Sequence, residues 1–419
     1  MKRCILFTFA LLMPTQFLHA ADTLSLDEAL TTALRNHPQI VEAKENLRGA
    51  EARTGQSLAN YYPQVSIAAD WSKGRSFMTP LESIKDVDVH TDALYLKQTI
   101  YDFGRTSGAV AAARSNRAAA EESVAITRQD LTFRVKNAYY LVLAAEKQVL
   151  AVMETVKARE AVFNQAQEFF RQGIRSKVDV ARAEANLYAA RTSLIRANNN
   201  REIARIELAN AMGLSSLEQR PLVEPPTSSI SLPEDDRVRQ GALANRAELK
   251  RLAALHDAAQ ATLKTVKSNY LPTLSGTASV GYADKDFPPG GNVWGVGVNL
   301  TIPLFSGFTT VEQEREAIAT INAVEARRND QRLQIEKDAA TARFNVMETS
   351  ARMASTEKEM GAGRETRALA EGRYQEGVGS IIEVTDAQSQ ALDAETSHIQ
   401  AVYDYHTALA RLDRAIGKE

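Results

Sequence analysis

Residues 105–172 read RTSGAVAAARSNRAAAEESVAITRQDLTFRVKNAYYLVLAAEKQVLAVMETVKAREAVFNQAQEFFRQ. The stretch contains no proline and a single glycine, Gly108, so it predicts one unbroken helix. At about 1.5 Å per residue, such a helix would be on the order of 100 Å long. A helix of that length is far longer than an ordinary globular helix and does not fit inside a compact globule.

An apolar seam runs along this predicted helix at alternating spacings of four and three residues. Its members are Leu131, Val135, Ala138, Val142, Ala145, Val149, Val152 and Val156. The spacing is typical of a coiled coil and predicts helical partners, either parallel or antiparallel. Taken alone, the helix favours a soluble coiled coil, but the neighbouring segments favour a different interpretation.

The N-terminus has the features of a secretory signal peptide. Lys2 and Arg3 precede an apolar run, and small residues come before a cleavage site after Ala21. The segment is too short to span a bilayer, and no later stretch approaches the roughly 20 apolar residues of a membrane helix. We therefore expect an exported protein whose signal is residues 1–21.

The composition argues against several functional classes. The single cysteine, Cys4, lies in the predicted signal, so neither a disulfide nor a lipid anchor is expected. The chain has 50 basic and 52 acidic residues and loses two basic ones with the signal, which argues against a nucleic-acid partner. The six histidines lack metal-ligand spacing. The sequence predicts no catalytic, metal or cofactor site and hence no enzyme.

The chain contains an internal duplication. At an offset of 209, residues 60–63 (NYYP) return as residues 269–272 (NYLP). Further along the offset is 204, so that residues 178–180 (VDV) match residues 382–384 (IEV). The seam also returns, although Thr349 and Thr356 interrupt its apolar character. Its returning members are Ile335, Ala339, Ala342, Val346, Met353 and Met360.

A proline-rich segment separates the two copies, and its prolines cannot continue a helix. They are Pro221, Pro225, Pro226 and Pro233. Whether this segment packs on the helices is left open by the sequence. The predicted organisation is a signal peptide (1–21), a first repeat (22–213), a linker (214–237) and a second repeat (238–419).

Each copy is predicted to begin with one helix, Leu26–Asn60 or Arg237–Asn269, that ends at a Tyr-x-Pro sequence. Strands follow, because apolar and polar residues then alternate. In the first strand the apolar positions are Val65, Ile67, Ala69 and Trp71. Return strands are predicted over Thr91–Tyr101 and Asn292–Phe305, which gives two hairpins with strands of about ten residues.

These hairpins have the marks of outer-membrane strands: one apolar face, one small or polar face, and aromatic residues near the ends. The alternative is a small soluble sheet packed on helices. Four strands cannot close a barrel by themselves, and in lipid an open sheet edge leaves backbone groups without partners. The membrane interpretation therefore requires several chains to pool their strands, and the pattern alone permits two, three or four chains.

On the helical side, the chain turns at Gly173 and returns through a helix predicted over Lys177–Met212, about half as long as the outgoing helix. The opening helix and the returning helix together match the long one. Each copy is therefore expected to form a rod of about 100 Å.

Together these features resemble the TolC family of outer-membrane efflux channels over essentially the whole mature chain. The resemblance is carried by the order of elements, by the Asn-Tyr-x-Pro sequences, and by Tyr101-Asp102 and Phe305-Ser306 after the strands. It is also carried by the two turns, FRQGIRSKVDV (170–180) and YQEGVGSIIEV (374–384). The resemblance implies an α+β membrane channel, in which three chains form a 12-stranded outer-membrane β-barrel continuous with a 12-helix α-barrel in the periplasm.

The resemblance also assigns roles to individual residues. It implies a pore constriction at Glu383 and Asp386, and a tip gate in which Tyr374 is linked to Asp179. A further link in the family uses an arginine that is replaced here by Gly379, which weakens the expectation of a tightly locked closed state. Without the resemblance, the two acidic residues would be ordinary solvated helix surface.

The turns themselves are expected to dock on a periplasmic adaptor protein fed by an inner-membrane transporter. The predicted docking residues are Gly173, Ser176, Gly377 and Ser380. The simpler interpretation of the glycines is that they are turn residues with positive φ, and both roles can coexist.

The sequence thus predicts a passive homotrimeric export channel of the outer membrane. It leaves open whether the cargo is a drug, a metal ion or a protein. The alternative is a periplasmic scaffold built on coiled coils, which would fractionate with aqueous proteins. Heat-modified migration of a detergent-extracted oligomer separates the two.

Overall fold

A computed structural model describes residues 23–78, 83–226 and 234–418 of the chain. The predicted signal peptide and residues 227–233 of the predicted linker lie outside the described residues. The described chain is mostly helical and includes one four-stranded sheet. None of its helices is both long enough and apolar enough to cross a bilayer.

The helices fall into two series with equal lengths. In chain order they are α1 (Leu26–Asn36), α2 (Pro38–Leu58), α3 (Arg105–Arg171), α4 (Lys177–Ala211), α5 (Asp235–Asn245), α6 (Ala247–Lys267), α7 (Thr309–Gln375) and α8 (Ile381–Ala415). Both α3 and α7 have 67 residues, and both α4 and α8 have 35. The unbroken helix predicted from the proline-free stretch is confirmed to within one residue.

The predicted opening helices are wrong in one respect, because each is two helices. The first, predicted over Leu26–Asn60, breaks at His37, whose ψ of 130° is extended. Pro38 explains the break, since proline disfavours the helical conformation in the preceding residue and fits the first turn of a new helix. In the second half Arg246 is extended without a proline, and its buried guanidinium pairs with Glu248 at 2.7 Å.

The sheet is antiparallel with the strand order β1-β2-β3-β4. The strands are β1 (Gln64–Met78), β2 (Ser83–Tyr101), β3 (Thr273–Asp284) and β4 (Gly291–Thr301). With 15 and 19 residues, β1 and β2 exceed the predicted ten, because their ladder continues past the end of β3. Cross-strand ion pairs stabilise this extension, between Lys73 and Asp88 at 2.8 Å and between Arg75 and Asp86 at 3.0 Å.

The register gives the sheet one apolar face, as the alternating pattern predicts. Two consecutive rows of cross-strand neighbours on this face are Val65, Leu96, Ala278, Val296 and Ile67, Leu94, Val280, Trp294. Two rows of the opposite face are Gln64, Lys97, Thr277, Gly297 and Ser66, Tyr95, Ser279, Gly295. Ile67 is 80% exposed and Val296 is 78% exposed, so the apolar face is bare in the single chain.

The predicted seam is buried over most of its length. Val135 and Val142 are fully buried on α3, as are Ile335 and Val346 on α7. The two threonines that interrupt the apolar character of the second seam are buried as well. The hydroxyl of Thr349 donates to the carbonyl oxygen of residue 345 at 2.7 Å, so a threonine continues the seam without an unpaired hydroxyl.

The chain divides into two compact units, and each takes segments from both halves of the sequence. The first unit comprises the described parts of residues 1–33, 135–230 and 356–403. The second comprises the described parts of 34–134, 231–355 and 404–419. The second unit contains the sheet and a core cluster between α5, α7 and α8.

Part of the predicted linker is fixed within the first unit. Leu222 forms a parallel β-bridge with Leu24. The buried hydroxyl of Tyr139 on α3 lies 2.8 Å from the carbonyl oxygens of Leu24 and Val223 and accepts the amide of Val223 at 2.9 Å. Burial raises the pKa of Tyr139 to about 12, so the neutral hydroxyl is available as a donor. Residues 221–223 therefore pack against the helix.

Candidate functional site at the helical tips

Two turns join the long helices to the returning helices, and both belong to the first unit. We call residues 169–180 the first tip and residues 373–384 the second tip. Gly173 has a φ of 74° and Gly377 a φ of 80°. In each tip, the amide after the glycine donates to the carbonyl oxygen five residues earlier, at 2.9 Å and 3.0 Å respectively. This is a Schellman ending, and its positive φ accounts for glycine at both positions.

The predicted docking residues lie on these turns. A Cβ atom added at Gly173 or Gly377 would meet nothing within 4 Å, so the glycines serve the backbone conformation and not a close approach of helices. Ser176 and Ser380 precede the returning helices. The Ser380 hydroxyl oxygen accepts the amide of Glu383 at 3.1 Å, whereas the Ser176 side chain makes no capping hydrogen bond.

Both tips present apolar side chains to solvent. Ile174 and Val178 on the first tip, and Val378 and Ile382 on the second, are each more than half exposed. They occupy matching positions at the offset of 204. A pair of exposed apolar patches at equivalent places offers a surface that a partner can cover.

The predicted tip gate centres on Tyr374, which is only 1% exposed. Its ring contacts Phe169 edge-on, with the ring centroids 5.8 Å apart. Its hydroxyl has no hydrogen-bond partner among the described residues. Burial raises the pKa of Tyr374, and the negative charge of Asp179 raises it further. A buried hydroxyl without a partner is costly, and its hydrogen bond to Asp179 stays a prediction.

The predicted constriction residues lie in the first turns of α8. Glu383 and Asp386 are both exposed and three residues apart, which places them on one face of the helix. Glu383 forms an ion pair with Arg373 of α7 at 3.2 Å, and both side chains are well exposed. The chain therefore offsets part of the charge of Glu383, while Asp386 faces solvent.

The sequence prediction missed Arg175 on the first tip. This side chain reaches the second tip, where it donates to the carbonyl oxygens of Gly377 at 2.9 Å and Gly379 at 2.5 Å. The offset of 204 pairs Arg175 with Gly379. The matched positions therefore differ by a large cation, a difference that distinguishes the two tips without predicting the acceptors.

Most of the chain matches one family of known proteins. A sequence profile described as "Outer membrane efflux protein" matches residues 29–214 and 238–418. The chain belongs to the outer membrane efflux protein family. The TolC-family resemblance inferred from the strands and tips is confirmed by this match.

Curated relatives agree with the family. Protein CyaE of Bordetella pertussis is 27% identical over 95% of this chain and 85% of its own length. Outer membrane protein TolC of Vibrio cholerae is 24% identical over 94% of this chain and 90% of its own. The alkaline protease secretion protein AprF of Pseudomonas aeruginosa is 23% identical over 94% and 84%.

Solved structures show the same fold. The outer-membrane channel OprN superimposes with a TM-score of 0.83 at 19% identity, covering 94% of this chain and 90% of that chain. The outer membrane protein VceC from Vibrio cholerae gives a TM-score of 0.81 at 20% identity, covering 94% and 96%.

The predicted function and location follow for this family member. The protein is an outer-membrane channel of an efflux or secretion system, with its helices in the periplasm. Its relatives are channels and not enzymes. Family membership thus favours the channel over the periplasmic scaffold that the sequence left open.

Proposed function

We propose that three copies of the chain assemble into one passive export channel, a 12-stranded β-barrel continuous with a 12-helix α-barrel. The observation that carries this proposal is the sheet, which combines a band of consecutive apolar rows on one face with two open edges, one on β1 and one on β4. An apolar face suits lipid, but open edges do not, because the hydrocarbon region offers no hydrogen-bond partners. Pairing β4 of one copy with β1 of the next satisfies both requirements.

The face itself has the composition of a lipid-facing band. The rows that include Ile67 and Val296 carry apolar side chains on all four strands. The band ends at the row of Ala69, Asp92, Tyr282 and Asn292, and Trp71 lies one row farther, where its indole nitrogen donates to Asp88 at 2.9 Å. An aromatic residue at the boundary between apolar and charged rows is characteristic of outer-membrane strands.

The helical tips are the docking surface for a periplasmic adaptor in this proposal. The exposed apolar positions on both tips support this role, as do the two glycine turns that hold them. The adaptor connects the channel to an inner-membrane transporter, which supplies the energy and selects the cargo. Glu383 and Asp386 of three copies form a ring of carboxylates at the tunnel mouth.

An edge-to-edge crosslink tests the assembly directly. The one cysteine, Cys4, belongs to the predicted signal, so engineered cysteines report without background in the mature chain. Ala68→Cys on β1 is combined in turn with Gly295→Cys, Gly297→Cys or Asn299→Cys on β4, because the intermolecular register is the unknown. We expect at least one pair to give covalent dimers and trimers in non-reducing gels.

The matching negative control is each single-cysteine variant, which cannot extend a crosslink beyond a dimer. A ladder that stops at two or continues to four chains would contradict the trimer. Monomers in every pair, from protein that fractionates with the outer membrane, would contradict the shared barrel.

A further inference from the structure

We propose that Arg175 is a clamp that holds the second tip against the first tip within one chain, and that releasing this clamp is a step in opening the channel. This inference rests on the proposed function, because it regulates the mouth of the same tunnel. Arg175 has no role in the family-based assignments given above.

Arg175 contacts the backbone of the turn in the second tip. One terminal nitrogen, Nη2, donates to the carbonyl oxygens of both Gly377 and Gly379. The guanidinium carbon lies 6.0 Å from the centroid of the Tyr374 ring. A guanidinium that donates to two carbonyl oxygens and lies beside an aromatic ring is held in one orientation.

The recipient is suited to a cation. The accepting carbonyl oxygens of Gly377 and Gly379 lie in the turn just after α7, near the partial negative charge of that helix end. Arg175 is half-buried, so its hydrogen bonds are less exposed to competing water than those of a surface ion pair. Hydrogen bonds that involve a charged donor are stronger than neutral ones.

The clamp acts in one direction only, from the first tip to the second. The position that matches Arg175 is Gly379, and a Cβ atom there would lie 2.9 Å from the amide nitrogen of Tyr374 and 3.0 Å from the carbonyl carbon of Arg373. Contacts that short with backbone exclude a side chain in this conformation. The second tip therefore cannot return an equivalent arm from the matching position.

Other contacts join the α3–α4 helices to α8 farther from the turns. Asn186 of α4 donates to Thr385 of α8 at 3.1 Å, and Arg159 of α3 donates to Ser389 of α8 at 3.0 Å. A small apolar cluster joins the tips themselves, with Phe169 on the first tip and Tyr374 and Val384 on the second. Within the described residues, Arg175 supplies the polar contacts from the first tip to the turn of the second.

The test compares Arg175→Ala and Arg175→Lys with Arg171→Ala in the full mature protein. Arg171 is a matched control, because it lies at the end of α3 and pairs with Glu168 of the same helix at 2.6 Å. Two measurements are made: channel opening in planar bilayers without an adaptor, and hydrogen exchange of the amides of residues 377–379.

We expect Arg175→Ala to increase both the open fraction and the exchange rate about tenfold. A change of that size is typical when a hydrogen bond with a charged donor is removed. Arg175→Lys keeps the charge but not the planar fork, so its effect should be intermediate. Arg171→Ala should match the wild type. Equal melting and equal heat-modified oligomers in all variants confirm that folding is unchanged.

Two outcomes separate the clamp from the proposed assembly. Wild-type protein that forms no conducting oligomer contradicts the assembly, and the exchange measurement then still decides the clamp. A conducting wild type whose opening and exchange are the same in Arg175→Ala contradicts the clamp and leaves the assembly intact.

Discussion

The two tips have the same backbone conformation but different side chains. Both end a 67-residue helix in a Schellman turn, and in both five residues separate that helix from the 35-residue helix that follows. Yet the first tip has Phe170 and Arg175 where the second has Tyr374 and Gly379. The conserved turn geometry shows what the duplicated fold requires of both tips. The divergent side chains are free to act between the tips, as Arg175 does.

The same comparison extends to the strands and to the linker. Between the two halves the helices keep their lengths, whereas β1 and β2 are longer than β3 and β4. The linker docks on Tyr139 of the first half, and the matching position in the second half is Arg343. Substitutions at matched or opposed positions test which features the two halves share.

The largest effect is expected on the apolar face of the sheet. Val296→Arg places a charge in the middle of the proposed lipid-facing band and should destabilise the inserted barrel by about 2 to 4 kcal/mol. Thr277→Arg is the control, because it lies on the opposite face in a row that already contains Lys97. Urea titration of protein folded into vesicles measures both. Equal stability of the two variants would contradict the proposal that the apolar face of the sheet contacts lipid.

The next effect concerns the linker. Tyr139→Phe removes the hydroxyl that donates to one of the carbonyl oxygens of Leu24 and Val223 and accepts the Val223 amide, and it should lower the free energy of unfolding by about 1 to 3 kcal/mol. Tyr188→Phe is the control, since Tyr188 is exposed on α4. Thermal unfolding followed by circular dichroism compares them. A Tyr139→Phe variant as stable as the control would mean that the linker is not held by this hydroxyl.

Valine at the tip glycines should have a smaller cost for folding and a clear cost for export. Gly173→Val and Gly377→Val force a β-branched residue to a positive φ, at about 1 to 2 kcal/mol each. Gly372→Ala is the control, because it lies within α7 with open space around it. Export assays and trimer yield are measured together. Normal export by Gly377→Val would contradict the prediction that this turn belongs to the docking surface.

The smallest effect is expected at the proposed carboxylate ring. Changing Glu383 and Asp386 together to Ala should weaken the cation preference of the channel and its block by multivalent cations from the periplasmic side. The ion pair with Arg373 already offsets part of the charge of Glu383, so Asp386→Ala alone should account for most of the change. The control is the double change of Glu357 and Glu359 to Ala, measured in planar bilayers.

Wild-type channels that prefer anions would rule out an acidic mouth. A double variant with unchanged cation block would place Glu383 and Asp386 on ordinary solvated surface.

Much of the fold could be predicted because it depends on sequence patterns within single helices and strands. The proline-free stretch predicted α3 to within one residue, and the period of two predicted which strand residues share a face. The breaks in the opening helices were missed, although Pro38 after His37 was a visible signal. The break at Arg246 has no such local signal, since the residue is held by a buried ion pair with Glu248.

The site was less predictable, because its contacts join residues about 200 positions apart. Periodicity finds the turn glycines, but no pattern along the chain predicts that Arg175 bonds to the backbone of Gly377. The docking of residues 221–223 on Tyr139 is of the same kind. Main-chain acceptors leave no trace in the sequence, so bonds to them appear only in three dimensions.

The equal helix lengths limit how this chain can evolve. Because Arg175 bonds across the two tips, the α3–α4 and α7–α8 hairpins end at the same level. Deleting seven residues from α3 alone would keep its seam nearly in phase but withdraw the first tip by about 10 Å, beyond the reach of an arginine. Insertions and deletions in the helices must therefore occur as coordinated sets, whereas the ends of the strands can lengthen one hairpin at a time.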